Sequence, residues 1–483
     1  MRRAVPVLAT AVLLAGPTVL AFLTGGYFDG ARAAATAVAW TLVLLLALAG
    51  PLPLPRSGPG WLAVGALAAL AAWSAISIAW APLVGPAVDS VQRLLLYLGV
   101  LLAATAVLRD RGLARAVEPA LAAGAALVIG YGLAGRLVPG IVDLNRSLVA
   151  GGRLEQPLTY WNAEGLLAAM GFLLCVRLAG DPSRPRWMRI AAAAAFGPLG
   201  AGVYLSYSRG ALAVAVLGLI FLVAAAPVRP QLRAAAAGLV AAVVAGAVAA
   251  AFRGVAGLEG SGAEQRRDGA IVLAAFAVVA ALAALLAARM SAAERRDPAL
   301  LERLGYAGRL PAVAFGAAAL CVVGLAIGGL AESGDSTESA EARPSRFASI
   351  SSQRYEYWRV GANAFVDRPF QGEGAGGFRV LWRMERDVDA AAVEVHSLLM
   401  EMATELGLPG LLLLGAFLVG VAAAGRRALA AGAPIAPGAC AVCATWLLHA
   451  SIDWDWQMPA VTLPAIVLAG ALLAESERAG SPP

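Results

Sequence analysis

The 483-residue chain contains no lysine: all 37 of its basic side chains are arginine, and charged residues make up only 14% of the whole. An ordinary soluble domain is about 25% charged, so a soluble multidomain enzyme is excluded. Histidine is nearly absent, with His396 and His449 the only two; they are the only side chains whose ordinary pKa lies near neutrality. The four cysteines, Cys175, Cys321, Cys440 and Cys443, each lie inside an apolar run, so no disulfide framework is implied. Cys440 and Cys443 spell C-x-x-C, but without a second pair or a surrounding strand and helix pattern they read as small buried thiols, not as a redox or zinc site. The net charge of +6 would suit a nucleic-acid binder only if the arginines formed a patch, and they are scattered between apolar runs.

What the chain has in abundance is hydropathy, with 60% of its residues in the set AVILMFWYC. Apolar runs of about 20 residues, enough to cross ~30 Å of hydrocarbon, recur between short Arg-, Gly- and Pro-containing breaks. The pattern predicts an all-α fold, a polytopic transmembrane helix bundle of about fourteen spans, the first beginning near Ala4 and the last ending near Ala474. It divides into N-terminal spans (1–135), central spans (136–330), a large loop (331–396) and C-terminal spans (397–483). The first span reads as a retained anchor, not a cleaved signal peptide, because a second span follows at once.

Placing Arg2 and Arg3 in the cytoplasm puts 20 arginines on that side and 17 on the other, eight of them in one long loop. The short-loop comparison is then 20 against 9, as the positive-inside rule requires, and both termini are expected in the cytoplasm of a bacterial inner membrane. The long loop, Glu332 to Val395, is extracytoplasmic in this arrangement and carries eight arginines and eleven acids. Its first part, Glu332 to Ser352, has the composition of a mobile segment. Its second part, Ser352 to Val366, sets Tyr355, Trp358, Ala362 and Phe365 on one helical stripe and is stopped by Pro369. This amphipathic helix fits the membrane surface or the flank of the bundle.

Both histidines fall on the outer side, so proton transfer is expected there. His396 precedes a helical run in which Ser397, Glu401 and Glu405 share a face, before Gly407 and Pro409 break it. The positive end of a helix dipole favours neutral imidazole, the form a general base needs; a hydrogen-bonded interfacial histidine has the same spacing. His449 lies next to Asp453-Trp454-Asp455-Trp456, which reads as an interfacial belt. Asp453/Asp455 and Asp387/Asp389 each spell D-x-D, a pair able to face a divalent cation but common on solvated loops; no metal site is assigned. Gly372 to Gly377 satisfies G-x-G-x-x-G literally, yet it lacks the strand and helix of a dinucleotide site, so it is read as a tight turn or as backbone N–H groups presented to an anion. Arg209, in the short connection Ser206 to Gly210, is costly beside apolar spans unless it finds an anion. It either snorkels to headgroups or grips a lipid phosphate with its forked donors.

Several stretches together resemble the O-antigen ligase and O-antigen polymerase superfamily of bacterial membrane glycosyltransferases. They are Asn162 after Gln156-Pro157, Ser208-Arg209-Gly210 before a span, Arg354 with Trp358, Pro369-Phe370-Gln371-Gly372-Glu373-Gly374 leading to Phe378, and His396 followed by Glu405-Leu406-Gly407-Leu408-Pro409-Gly410. The family's usual His-Asn reads His396-Ser397 here. The resemblance implies an enzyme moving a glycan from a polyprenyl-diphosphate carrier to an acceptor hydroxyl on a glycan, lipid or protein, at the outer face of the membrane and without a cofactor. It assigns His396 as catalytic base and Arg209 and Arg354 as diphosphate ligands, with Arg359 and Arg153 in reserve. Direct displacement implies inversion, with arginines serving where a metal would. The competing class is a transporter or flippase of lipid-linked sugars, which would bury ionisable groups at the bilayer midplane; Arg93, Glu118, Glu164 and Arg177 are the residues that decide between them. A noncatalytic partner in cell-wall assembly would leave His396 dispensable.

Overall fold

The computed structural model describes residues 4–296, 354–389 and 391–479. Among these residues every regular element is a helix. Eleven helices are long and apolar enough to cross a membrane, and Arg209–Ala225 and Ala436–Ala450 are shorter apolar helices. These thirteen correspond to expected spans. The remaining expected span, Pro311 to Leu330, and the Glu332 to Ser352 segment lie outside the described residues.

Three of the expected spans have different shapes. The span near residues 187–207 is two helices, Arg186–Ala194 and Phe196–Leu205, because Pro198 has no N–H to offer the carbonyl four residues back. Gly262–Arg296 has 35 residues, so at 1.5 Å per residue it runs about 50 Å, well beyond the hydrocarbon. Leu398–Ala430 also outruns its apolar stretch, but Gly407 inside it has φ 64 and is not helical. The break expected from Gly407 and Pro409 is therefore present.

The chain forms two compact units. One contains residues 1–117, 352–443 and 447–483, the other residues 118–351 and 444–446. In the first, Gly58–Ser77 packs along Leu398–Ala430, and Val84–Val107 packs on Asp29–Ala49 and Pro459–Ala479. Lipid offers helices no hydrophobic reason to associate, so close backbone approach through small residues supplies the contact. A Cβ on Gly470 would stand 2.7 Å from that of Ala104. One end of this bundle is tied by polar contacts. Arg109 Nε donates to Glu477 at 2.6 Å, Arg109 Nη2 to the Leu54 carbonyl at 2.6 Å, and Arg478 Nη1 to the carbonyls of Leu108 and Arg109. The opposite end gathers residues 22–28, 78–83, 369–377, 394–397 and 451–458, and the candidate site lies there.

In the second unit Trp161–Ala179 is buried along its whole length and packs on Phe196–Leu205 and Arg209–Ala225. Several of its charges sit near helix ends and are paired: Glu118 accepts from Arg184 at 2.6 Å, and Arg177 reaches Asp181 at 3.1 Å; Glu164, in the first turn of Trp161–Ala179, is fully buried and has no ion-pair partner among the described residues. Arg189 meets Glu294 at 2.6 Å.

Candidate functional site

In the first unit a small module formed by the second half of the long loop rests on the N-terminal end of Leu398–Ala430. Its core is Tyr357, Val360, Phe378, Trp382 and Val395. Arg354–Asp367 contributes Tyr357, Val360, Gly361 and Ala364 as its buried face. The stripe expected to be apolar is displaced from this face: Ala362 is exposed, and Tyr355 and Trp358 are half-buried. The helix thus packs inward through a neighbouring stripe, and its aromatic residues border the module.

The Gly-rich loop and the helix break are two halves of one structure. The N–H groups of Glu373 and Gly374 donate to the carbonyls of Thr404 and Glu405, both at 2.9 Å, and Leu408 N–H donates to Pro369 O at 2.7 Å. The break at Gly407 frees these carbonyls from their helix, and the loop satisfies them. A Cβ on Gly372 would lie 2.5 Å from the Glu405 carbonyl, and one on Gly407 2.7 Å from that of Phe370. Both glycines have positive φ, so any side chain is excluded twice. The acceptor before these N–H groups is the Glu405 side chain itself, whose carboxyl oxygens accept from Gly376 at 2.7 Å and Phe378 at 3.3 Å.

This scaffold fixes His396. The residue has φ 56, a left-handed conformation that is uncommon outside glycine and tends to cluster at functional sites. It precedes Ser397, the N-cap whose Oγ accepts from Met400 N at 3.3 Å. Its Nδ1 lies 2.8 Å from the Glu394 carbonyl. A carbonyl can only accept, so Nδ1 carries the proton and the neutral ring keeps its lone pair on Nε2. Burial and the nearby Arg354 charge hold the pKa of His396 below its ordinary value, against the opposing pull of Asp453 and the Glu394 carbonyl. The ring lies 5.1 Å from Tyr357 and 6.3 Å from Trp454.

A cavity of about 190 Å³ adjoins it, lined by Tyr27, Arg32, Arg93, Arg379, Glu394, Glu405 and Gln457 among others. Tyr27 stacks edge-on against Trp454 at 5.4 Å, which links the cavity to the histidine. Arg32 joins Asp29 and Asp89, Arg93 reaches Glu401 at 3.5 Å, and Arg379 reaches Glu394 at 3.6 Å. Burial and the repulsion of Glu401 push the Glu394 carboxyl above its ordinary value despite these arginines. Arg379 and Glu394 were not legible as site residues, because each looks like any other charge in a polar loop.

The other sequence-predicted residues divide between the units. Arg354 is half-buried and pairs with Asp453 at 2.5 Å, while Asp455 is held by His449 at 2.6 Å. The two carboxylates of that D-x-D therefore serve different partners. His449 is buried, not interfacial. Arg359 is largely exposed and engaged by Glu356 and Asp387; its hydrogen bonds hold the Glu356 carboxyl below the usual range. Arg209 and Arg153 lie in the second unit. Arg209 is half-buried in the first turn of its helix, behind the N-cap Ser208. Arg153 is buried, its guanidinium 3.6 Å above the Trp161 ring. Asn162 is buried beside it in sequence, its Nδ2 donating to Tyr160 Oη at 2.7 Å.

Residues 263–415 match the family model described as O-antigen ligase. The matched stretch includes His396, Arg354, Arg359, the Gly-rich loop and the helix break. It supports the O-antigen ligase superfamily and, with the spanning helices, a membrane glycosyltransferase-like function in polysaccharide assembly. No curated protein matches the chain.

Proposed function

We propose that this membrane protein, whose residues 263–415 carry the O-antigen ligase pattern, transfers a glycan from a polyprenyl-diphosphate carrier to an acceptor hydroxyl on the outer face of the cytoplasmic membrane. The observation that carries the reading is the tautomer of His396, with Nδ1 committed to the Glu394 carbonyl and Nε2 left basic. The acceptor oxygen attacks the anomeric carbon and gives its proton to Nε2. The bond from that carbon to the diphosphate breaks, and its electron pair leaves on the diphosphate oxygen. Attack opposite the leaving group inverts the anomeric configuration. No metal or cofactor takes part, so chelation by EDTA leaves transfer intact.

Arg354, in the same unit as His396, binds the diphosphate, with Arg359 in reserve; Arg209 and Arg153 remain the candidates that the family resemblance gives. Guanidinium forks stabilise the charge that grows on the leaving group. Arg209 stands at a helix N-terminus, where the dipole disfavours a cation; an anion there would offset that cost.

The transporter reading is less well supported: Glu118 and Arg177 are ion-paired close to helix ends and Glu164, though buried without an ion-pair partner among the described residues, lies in the first turn of its helix, whereas a transport path needs ionisable groups at the midplane; Arg93, toward the middle of Val84–Val107, is compensated by Glu401. His396→Ala is expected to abolish polymer transfer while expression and insertion persist. Normal polymer in that variant refutes the base assignment. Arg209→Lys should also be severely impaired, since a point charge replaces a fork; wild-type behaviour makes Arg209 a lipid anchor.

A further inference from the structure

The second unit contains a cavity of about 270 Å³, near the lower end of small-molecule sites, which run from roughly 300 Å³ upward. Three arginines line it: Arg136, Arg146 and Arg153. Arg136 is 4% exposed, and its guanidinium donates to the carbonyls of Val255 at 2.8 Å, Ala256 at 3.2 Å and Gly152 at 2.6 Å. Arg146 donates to the Gly135 carbonyl at 3.2 Å. Carbonyl dipoles satisfy donors but leave the net charge in place. Neither Arg136 nor Arg146 is ion-paired with a carboxylate among the described residues. The one acid lining the cavity, Glu155, is turned to Ser147, accepting from its N–H at 2.6 Å and its Oγ at 2.8 Å. Arg153 is fixed by the carbonyls of Ala150 and Val149 and by the Trp161 face below it.

Three guanidinium groups face one carboxylate across the cavity lining, so a net positive charge remains beside the buried Arg136, at a cost that a bound anion would offset. The donors are held in place before any ligand arrives, which lowers the ordering cost of binding. The cavity is large enough for more than a free ion and carries Gln156 and backbone groups suited to hydroxyls.

We propose that this cavity is an oxyanion site, taking a phosphate or carboxylate borne on a sugar. The anion chemistry stands on the cavity alone; only the sugar that carries it rests on the proposed glycan transfer.

The test is isothermal titration of the purified full-length protein in detergent with glucuronate, inorganic phosphate and pyrophosphate at constant ionic strength. Saturable binding is expected, weakened roughly tenfold or more in Arg146→Gln, as loss of a charge-assisted hydrogen bond requires, and partly restored in Arg146→Lys. Arg146 is exposed, so its replacement should leave the melting temperature unchanged. Tighter binding of glucuronate identifies an acidic sugar, and tighter binding of pyrophosphate identifies the carrier's diphosphate. Absence of binding by all three, or equal binding in wild type and Arg146→Gln, overturns the proposal. His396→Ala should retain this binding while losing transfer, so failure of the anion site and failure of the transferase reading are told apart.

Discussion

Replacing Glu405 with alanine tests the joint between the Gly-rich loop and the broken helix. The carboxyl accepts from Gly376 at 2.7 Å and from Phe378 at 3.3 Å, and each hydrogen bond contributes about 0.5–1.5 kcal/mol net. Two of them at about 1 kcal/mol each, once removed, lower the free energy of opening the loop by about 2 kcal/mol, which is roughly thirtyfold in the open population. The informative amides are those of Glu373, Gly374 and Ala375, because their partners are the Thr404 carbonyl, the Glu405 main-chain carbonyl and Ser77 Oγ, none of which the substitution removes. Hydrogen exchange with mass spectrometry over residues 372–382 should show these amides exchanging about thirtyfold faster, with helices at the far end of the bundle unaffected. Transfer should fall in parallel, because the loop braces the helix whose N-cap, Ser397, adjoins His396. Protection within about threefold of wild type would mean the loop is held without Glu405, and the coupling inferred here would be wrong.

Three further outcomes follow from the same geometry. Because the pKa of His396 lies below its ordinary value, the ring is neutral at neutral pH, and kcat/KM should rise with pH through a midpoint under about 6.5 and stay level above it. Arg354→Gln removes a charge that opposes the imidazolium and should move that midpoint up, whereas Asp453→Asn removes one that favours it and should move it down; pH–rate profiles in which both shift the same way refute the electrostatic account. Gly407→Ala places a side chain at φ 64 and 2.7 Å from the Phe370 backbone, and should destabilise by at least about 1–2 kcal/mol from the left-handed conformation alone, read as a lower melting temperature in detergent.

Composition and hydropathy alone settled the fold class. A chain with so little charge and so many apolar runs can only satisfy its backbone in a bilayer as helices, because each helix closes its hydrogen bonds within itself. The same locality made the break at Gly407 and Pro409 legible, along with the special position of His396 at the head of its helix. Helix ends were less so: Leu398–Ala430 and Gly262–Arg296 continue past their apolar stretches, since nothing in a charged turn obliges a helix to stop.

What the sequence could not supply was pairing between residues far apart in the chain. Arg354 and Asp453, Arg93 and Glu401, and Arg379 and Glu394 are each unremarkable charges until the fold brings them together. The amphipathic stripe of Arg354–Asp367 was displaced for the same reason, because which face is buried depends on the surface it meets. The sequence also offered two readings of the glycine run, a tight turn or a cradle for an anion. Tertiary structure makes it a turn whose N–H groups are taken up by the Glu405 carboxyl on the helix it folds against. Periodicity and hydropathy are local and survive in one dimension; charge compensation and the tautomer of a histidine depend on neighbours that only a folded chain provides.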